Sequence, residues 1–193
     1  MTASKSPRAK AFAGLKALAG PRASPADETT ELFHFLKRES VGPYDDRAIA
    51  LVTASVVEQG LESALLKKFI PLGNEDERSL FSDDGAPLSD FDSKTRLAFA
   101  LGIIGPAARA DLSCMRKIRN AFAHSRLDIN FVTEQVVAAC AFLTLPDRFF
   151  TGEWTVGSAR ERYVYTGYRY SVALVTYGTK PGPVSAFIKD TLS

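Results

Sequence analysis

The sequence predicts an all-α protein: a compact helical bundle of about five to seven helices preceded by a flexible basic N-terminal tail. Apolar residues recur mostly at intervals of three and four along the chain, the spacing of helices with one buried face. Helix start and stop signals punctuate that pattern at Gly42-Pro43, at Ser89 to Asp92 and at Gly105-Pro106. With 193 residues, 46% of them hydrophobic, the chain is long enough to build one folded core.

Residues 1–26 read as a disordered basic tail. They hold five cations (Lys5, Arg8, Lys10, Lys16, Arg22) and no acid, and their one apolar run, Ala11 to Ala19, is broken by Gly14 and Lys16. That run is too short and polar for a signal or membrane segment, and no membrane-spanning stretch is expected after it. Residues 27–178 are expected to form the helical domain and 179–193 a loose C-terminal tail.

Leu32, Phe33, Phe35 and Leu36 suit a first helix from Asp27 to Glu39, ended by Gly42 and Pro43. Asp45 and Asp46 then place negative charge at the start of a longer helix reaching about Phe69. Ile49, Val52, Val56, Leu61, Leu65, Leu66 and Phe69 fall around most of its circumference, which makes it the central scaffold. Gly60, in its middle, costs about 1 kcal/mol relative to Ala and implies close approach of a neighbouring helix. Pro71 to Pro87 reads as polar and turn-rich, apart from Leu80 and Phe81.

Ser89 is expected to cap the next helix, with Asp92 closing a capping box, and that helix to bury Leu97, Leu101 and Ile104. Gly105 and Pro106 stop it and launch another, which spans Ala108 to His124. A short extended piece at Ile129 to Val132 should precede a helix from about Thr133 to Leu143, capped by Thr133. Pro146, Phe149, Phe150 and Trp154 read as a loop over the core. From Ser158 to Val175, Val164, Tyr168, Val172 and Val175 recur at helical spacing, although the alternation there also fits a strand. The tyrosines Tyr163, Tyr165, Tyr168 and Tyr170 interleave with Arg160, Arg162 and Arg169, and core packing is favoured for them over stacking on bases.

The helix ending at His124 carries the chemistry. At about 100° per residue, Leu112, Met115, Ile118 and Phe122 form one apolar stripe, with Arg119 at its edge. Asn120 and His124 share a neighbouring face with Arg116 and Lys117. An Arg beside an apolar stripe keeps its charge and needs an anionic or carbonyl partner. Glu58 and Glu62, paired on one face of the scaffold helix, are the first candidates for that structural ion pair. The sharper reading joins Arg119, Asn120 and His124 as catalytic groups for metal-free RNA cleavage: His as base and acid, Arg holding the phosphate. Residues five apart lie about 140° apart on an ideal helix. Convergence of Arg119 and His124 therefore requires unwinding near Ala123 or a second copy of the chain.

Other chemistries lack their residues. There is no phosphate-cradling glycine loop and no Cys/His set spaced for zinc, so neither metal nor cofactor is expected. The only histidines are His34 and His124, and the two cysteines, Cys114 and Cys140, fall within helices as reduced core residues of a cytoplasmic protein. Taking the five tail cations from the chain's 24 leaves 19 against 22 acids, a body near −3 that is a poor general binder of nucleic acid. No helix-turn-helix with a basic, exposed recognition helix is recognisable.

Three blocks, Ser82 to Lys94, Leu97 to Ile104 and Ile118 to His124, resemble the mannitol operon repressor family in order and spacing, over about Thr29 to Leu145. The resemblance implies an all-helical bacterial transcriptional regulator that binds other proteins rather than reading DNA. Ser89, Asp92, Arg116, Lys117, Glu58 and Glu62 are its expected structural or partner-binding residues. The Arg119-Asn120 pair with His124 also resembles the signature of the HEPN superfamily, small helical domains that are often dimeric, many of them metal-independent endoribonucleases with sites formed where two copies of the motif helix meet. The implied partners are a protein, such as a DNA-binding regulator, and a second copy in a homodimer. RNA enters only under the nuclease alternative, and no membrane is involved.

Overall fold

A computed structural model describes residues 43–149 and 157–178. The expected helix at 27–39, His34, the 1–26 tail, Phe150, Trp154 and the 179–193 segment lie outside the described residues. Those described are helical, with no strand among them: α1 (Pro43–Leu66), α2 (Asn74–Phe81), α3 (Phe91–Ala100), α4 (Pro106–His124), α5 (Glu134–Cys140), α6 (Leu145–Phe149) and α7 (Ala159–Val175).

Helix α1 is the scaffold, packed along α7 and flanked by α3 and α4. It stops at Leu66 rather than Phe69, because the Lys68 and Phe69 N–H groups both turn back to the Leu65 carbonyl and Pro71 disfavours helix at Ile70. Its buried face is narrower than the large apolar residues imply. Ala50, Ala54, Val57 and Ala64 line it with Ile49, Leu61 and Leu65, whereas Val52 is exposed and Val56 half-buried. Residues Asp46–Leu66 are long and apolar enough to cross a membrane, but 61% of that stretch is buried inside the protein.

Small residues allow the close approach of α7. A Cβ at Gly60 would sit 3.1 Å from Leu174 Cβ, as the glycine's cost implied. Gly167 is tighter still, since a Cβ there would lie 2.2 Å from Thr53 Cγ2 and 3.0 Å from Met115 Cε.

The polar stretch after Pro71 contains α2, which sequence reading takes for turns. Eight residues with two apolar side chains show no period, but Glu75, Asp76 and Glu77 favour its N-terminus and buried Phe81 anchors it. Helix α3 is capped by Asp90, not Ser89: Asp90 Oδ1 accepts from the N–H groups of Asp92 and Ser93 at 2.8 and 3.0 Å. It ends at Ala100, short of Ile104, because Gly102 takes φ +65°. The Gly102 N–H then reaches Phe99 O and the Ile103 N–H reaches Ala98 O, the paired bonds of a Schellman turn. Leu101 is thereby exposed and Ile103 is buried beside Ile104, while Leu97 is half-buried.

Pro106 occupies the first turn of α4 as expected, and Leu112, Met115, Ile118 and Phe122 are all buried. In the piece at 129–132 no strand forms, and Phe131 and Val132 make a turn held by Asn130 and Thr133. Thr133 precedes α5, but its hydroxyl engages Asn130 and makes no cap bond to the helix, which ends at Cys140 rather than Leu143. Ser158 caps α7 in a capping box with Glu161. Its buried face is Tyr163, Thr166, Gly167, Tyr170, Ser171 and Leu174; Val164, Tyr168, Val172 and Val175 are only half-buried.

Candidate functional site

Helix α4 brings its polar residues to the end of the bundle where α1 and α7 begin. Arg47 near the start of α1 donates to the Ser125 carbonyl at 3.2 Å, just past His124. Asp46 accepts from the Phe131 N–H at 2.9 Å and lies 3.7 Å from Arg160 of α7. Beneath them Phe122, Phe131 and Tyr163 form a continuous ring contact, with centroids 4.9 and 5.4 Å apart. The Tyr163 hydroxyl donates to the Ala50 carbonyl, which ties α7 to α1.

Arg119 is half-buried, and its Nη1 donates to Asn120 Oδ1 at 3.1 Å. No carboxylate lies within ion-pair distance of it among the described residues. Glu58 and Glu62, its expected partners, instead hold Lys94 of α3, at 3.2 and 3.1 Å from its Nζ, with all three side chains largely buried. Helix geometry explains the difference. Arg47 near the start of α1 meets Ser125 just past the end of α4, and Glu58 lies eleven residues, roughly 16 Å, further along α1, whereas Arg119 lies only six residues, roughly 9 Å, back along α4.

His124 is exposed at the last position of α4. The helix is regular through Ala123, so Arg119 and His124 of one chain project about 140° apart. Arg119 and Asn120 are thus brought together, whereas His124 points to solvent separately. Arg116 is 3.3 Å from Asp92 Oδ1, and Asp92 also pairs with Arg96 at 2.7 Å, so Asp92 bridges α3 to α4 instead of completing a capping box. Lys117 is exposed, and so is Ser89, whose N–H meets the Ala86 carbonyl.

Two buried charged groups escaped sequence reading, although each carried a signal. Lys94 stands on the apolar face of α3 between Phe91 and Ala98. Asp111 stands on the α4 stripe between Ala108 and Met115, fully buried. Its carboxylate accepts from the N–H groups of Thr144 and Leu145 and from the Tyr170 hydroxyl, at 2.8, 3.1 and 2.9 Å, with Arg148 at 3.5 Å. It therefore fastens α6 to α4 and α7. Burial pushes the Tyr170 phenol well above its ordinary range, and the Asp111 charge adds to that.

Burial likewise pushes the Cys140 thiol up to about 12, which makes it an inert core group. Cys114 is half-buried and donates to the Ala139 carbonyl at 3.3 Å. No group of three or more His, Cys, Asp or Glu side chains able to hold a metal occurs among the described residues.

No family model matches this sequence, and no curated protein does. Among solved structures, the fold is similar to that of a possible transcriptional regulator, YggD, from Shigella flexneri, with a TM-score of 0.56 at 14% identity. The match covers 78% of this chain and 96% of that one, so the two share an architecture across nearly the whole of the neighbour.

Proposed function

We propose that the protein is a bacterial transcriptional regulator of the mannitol-operon-repressor kind, acting in the cytoplasm by binding other proteins rather than by reading DNA. The observation that carries this reading is the fold shared with a possible transcriptional regulator over 96% of that chain. The distribution of cations supports the indirect mode. Of the permanent cations of α4 only Arg109 and Lys117 are exposed, and Arg109 stacks over the Phe99 ring, whereas a DNA-reading helix needs several. The arginines of α7 are engaged within the fold: Arg160 beside Asp46, Arg162 on Asp147 and Leu143, and Arg169 over the Tyr165 ring. Selection from a pool of genomic DNA fragments tests this reading. The protein alone should enrich no sequence, and enrichment of a defined site by the protein alone overturns the indirect mode.

A second reading, a metal-independent endoribonuclease, is favoured by one observation. Among the described residues Arg119 donates to Asn120 and meets no carboxylate, on the same helix as an exposed His124. Because α4 stays regular, that reading requires a second copy to complete a site of Arg119, Asn120 and His124. Incubation of total RNA with the protein under a metal chelator, beside His124→Ala, decides it. Cleavage by the wild type alone supports the nuclease; equal inactivity of two equally stable proteins removes it.

A further inference from the structure

We propose that the chain's own segment 27–39 docks along Val52, Val56, Val164 and Tyr168, in the groove where α1 and α7 lie side by side, an inference independent of both readings above. The two helices run in the same direction: the Tyr163 hydroxyl meets Ala50, Gly167 faces Thr53, and Leu174 faces Gly60. Turning about 100° per residue from Thr53, Val56 and Val52 lie about 60° and 100° to one side, whereas Ala54 and Glu58 lie about 100° and 140° to the other, toward the core and α3. From Gly167 on α7, Val164 and Tyr168 lie about 60° and 100° to one side, and buried Tyr170 and Thr166 lie about as far to the other. Because both helices are right-handed and parallel, the two valines of α1 and the Val164 and Tyr168 pair of α7 flank the same groove. Val56, Val164 and Tyr168 are half-buried, and Val52 is 39% exposed. No charged residue stands on α1 between Arg47 and Glu58, so this side of the scaffold helix is apolar along two and a half turns or so.

Connection and length select the occupant. Helix α1 begins at Pro43, so the preceding chain enters at the end of the groove nearest Val52 and Val164, and only Ser40, Val41 and Gly42 separate it from Glu39. A helix over 27–39 is about 20 Å long, and Val56 lies about 20 Å along α1 from Pro43, so the segment folded back antiparallel spans the groove as far as Val56. Its pattern fits that seat: Leu32, Phe33, Phe35 and Leu36 share a stripe about 160° wide, with Glu31, His34 and Lys37 outside it. Lys37 and Arg38 come at the end that would lie beside the first turn of α7, where Glu161 is exposed. The 179–193 segment departs from Gly178, at the opposite end of the helix pair, and opens with Pro181, Gly182 and Pro183.

Hydrogen exchange of the full chain, read by mass spectrometry of its peptides, tests the proposal. Amides of residues 30–39 should exchange about 100-fold or more slowly than in a free synthetic peptide of the same residues. Val52→Asp, at an exposed position, should return them to the free-peptide rate while the amides of α4 keep their protection. Phe35→Ser alters the segment rather than the bundle and should do the same, which keeps the test open if Val52→Asp does not fold. Removal of residues 179–193 should leave the protection of 30–39 intact. Free-peptide exchange in the wild type overturns the proposal, as does protection that survives both Val52→Asp and Phe35→Ser or that is lost with residues 179–193. Protection that disappears on dilution from about 100 to about 1 μM assigns the groove to a second copy and overturns the chain's own segment as its occupant.

Discussion

At the residue scale, buried Lys94 and half-buried Arg119 behave oppositely. Lys94 is bound by two carboxylates with little access to water, so Lys94→Met leaves Glu58 and Glu62 as uncompensated charges and should cost about 3 kcal/mol or more. Arg119 meets no carboxylate among the described residues, and Arg119→Ala should change stability by under about 1 kcal/mol. Urea unfolding of the two variants separates them directly. The buried thiol and phenols set the alkaline limit. Cys140, Tyr163 and Tyr170 all have raised values, with burial the first cause in each. Each contributes its full stability below its unfolded value and loses it as pH rises toward the folded one. Stability should therefore begin to fall near pH 9.0, where unfolded Cys140 ionises, and fall faster above the tyrosine value of 10.0, by up to about 1.4 kcal/mol per group per pH unit. Urea midpoints measured across this range check it, and in Cys140→Ala the decline from pH 9.0 should be shallower, with Cys114, whose thiol burial also raises, still contributing to it.

At the element scale, the cap of α3 and the crossing of α1 with α7 are the sensitive points. Asp90→Ala removes the acceptor for two helix N–H groups and should cost about 1 kcal/mol, whereas Ser89→Ala should be nearly neutral. Thermal melting distinguishes which residue is the cap. Gly167→Ala drives a methyl into Thr53 and should destabilise by about 2 kcal/mol, more than Gly60→Ala, where the contact is looser and helix propensity improves. Thr53→Ala should rescue much of the Gly167→Ala loss, since it removes the clashing methyl and a buried hydroxyl that has no hydrogen-bond partner. A double-mutant cycle measures that coupling. Elements were legible where a clear helical period exceeded about three turns, as in α1 and α4, whereas the alternating residues of α7 fitted helix and strand alike. Helix α2 was not, because eight mostly charged residues become helical through Phe81 and the first-turn acids.

At the scale of the whole molecule, one continuous apolar cluster runs from Ile49 on α1 through Met115 on α4 to Tyr170 and Tyr177 at the end of the chain described. Helices that share one core lose it together. Thermal unfolding should therefore show a single transition, with far-ultraviolet circular dichroism and tyrosine fluorescence coincident; two separated transitions contradict the shared core.

The sequence by itself determined the helical class, the buried stripe of α4 and the close approach at Gly60. All of these follow from residue type and a period of 3.6, which are local properties of the chain. Only the tertiary structure decided that Glu58 and Glu62 serve Lys94, that Asp111 fastens α6, and that Asp92 joins α3 to α4. A charge beside an apolar stripe announces that it needs a partner, but which partner it meets depends on how the helices are aligned. That alignment is set by distant small residues such as Gly60 and Gly167, which let α1 and α7 touch.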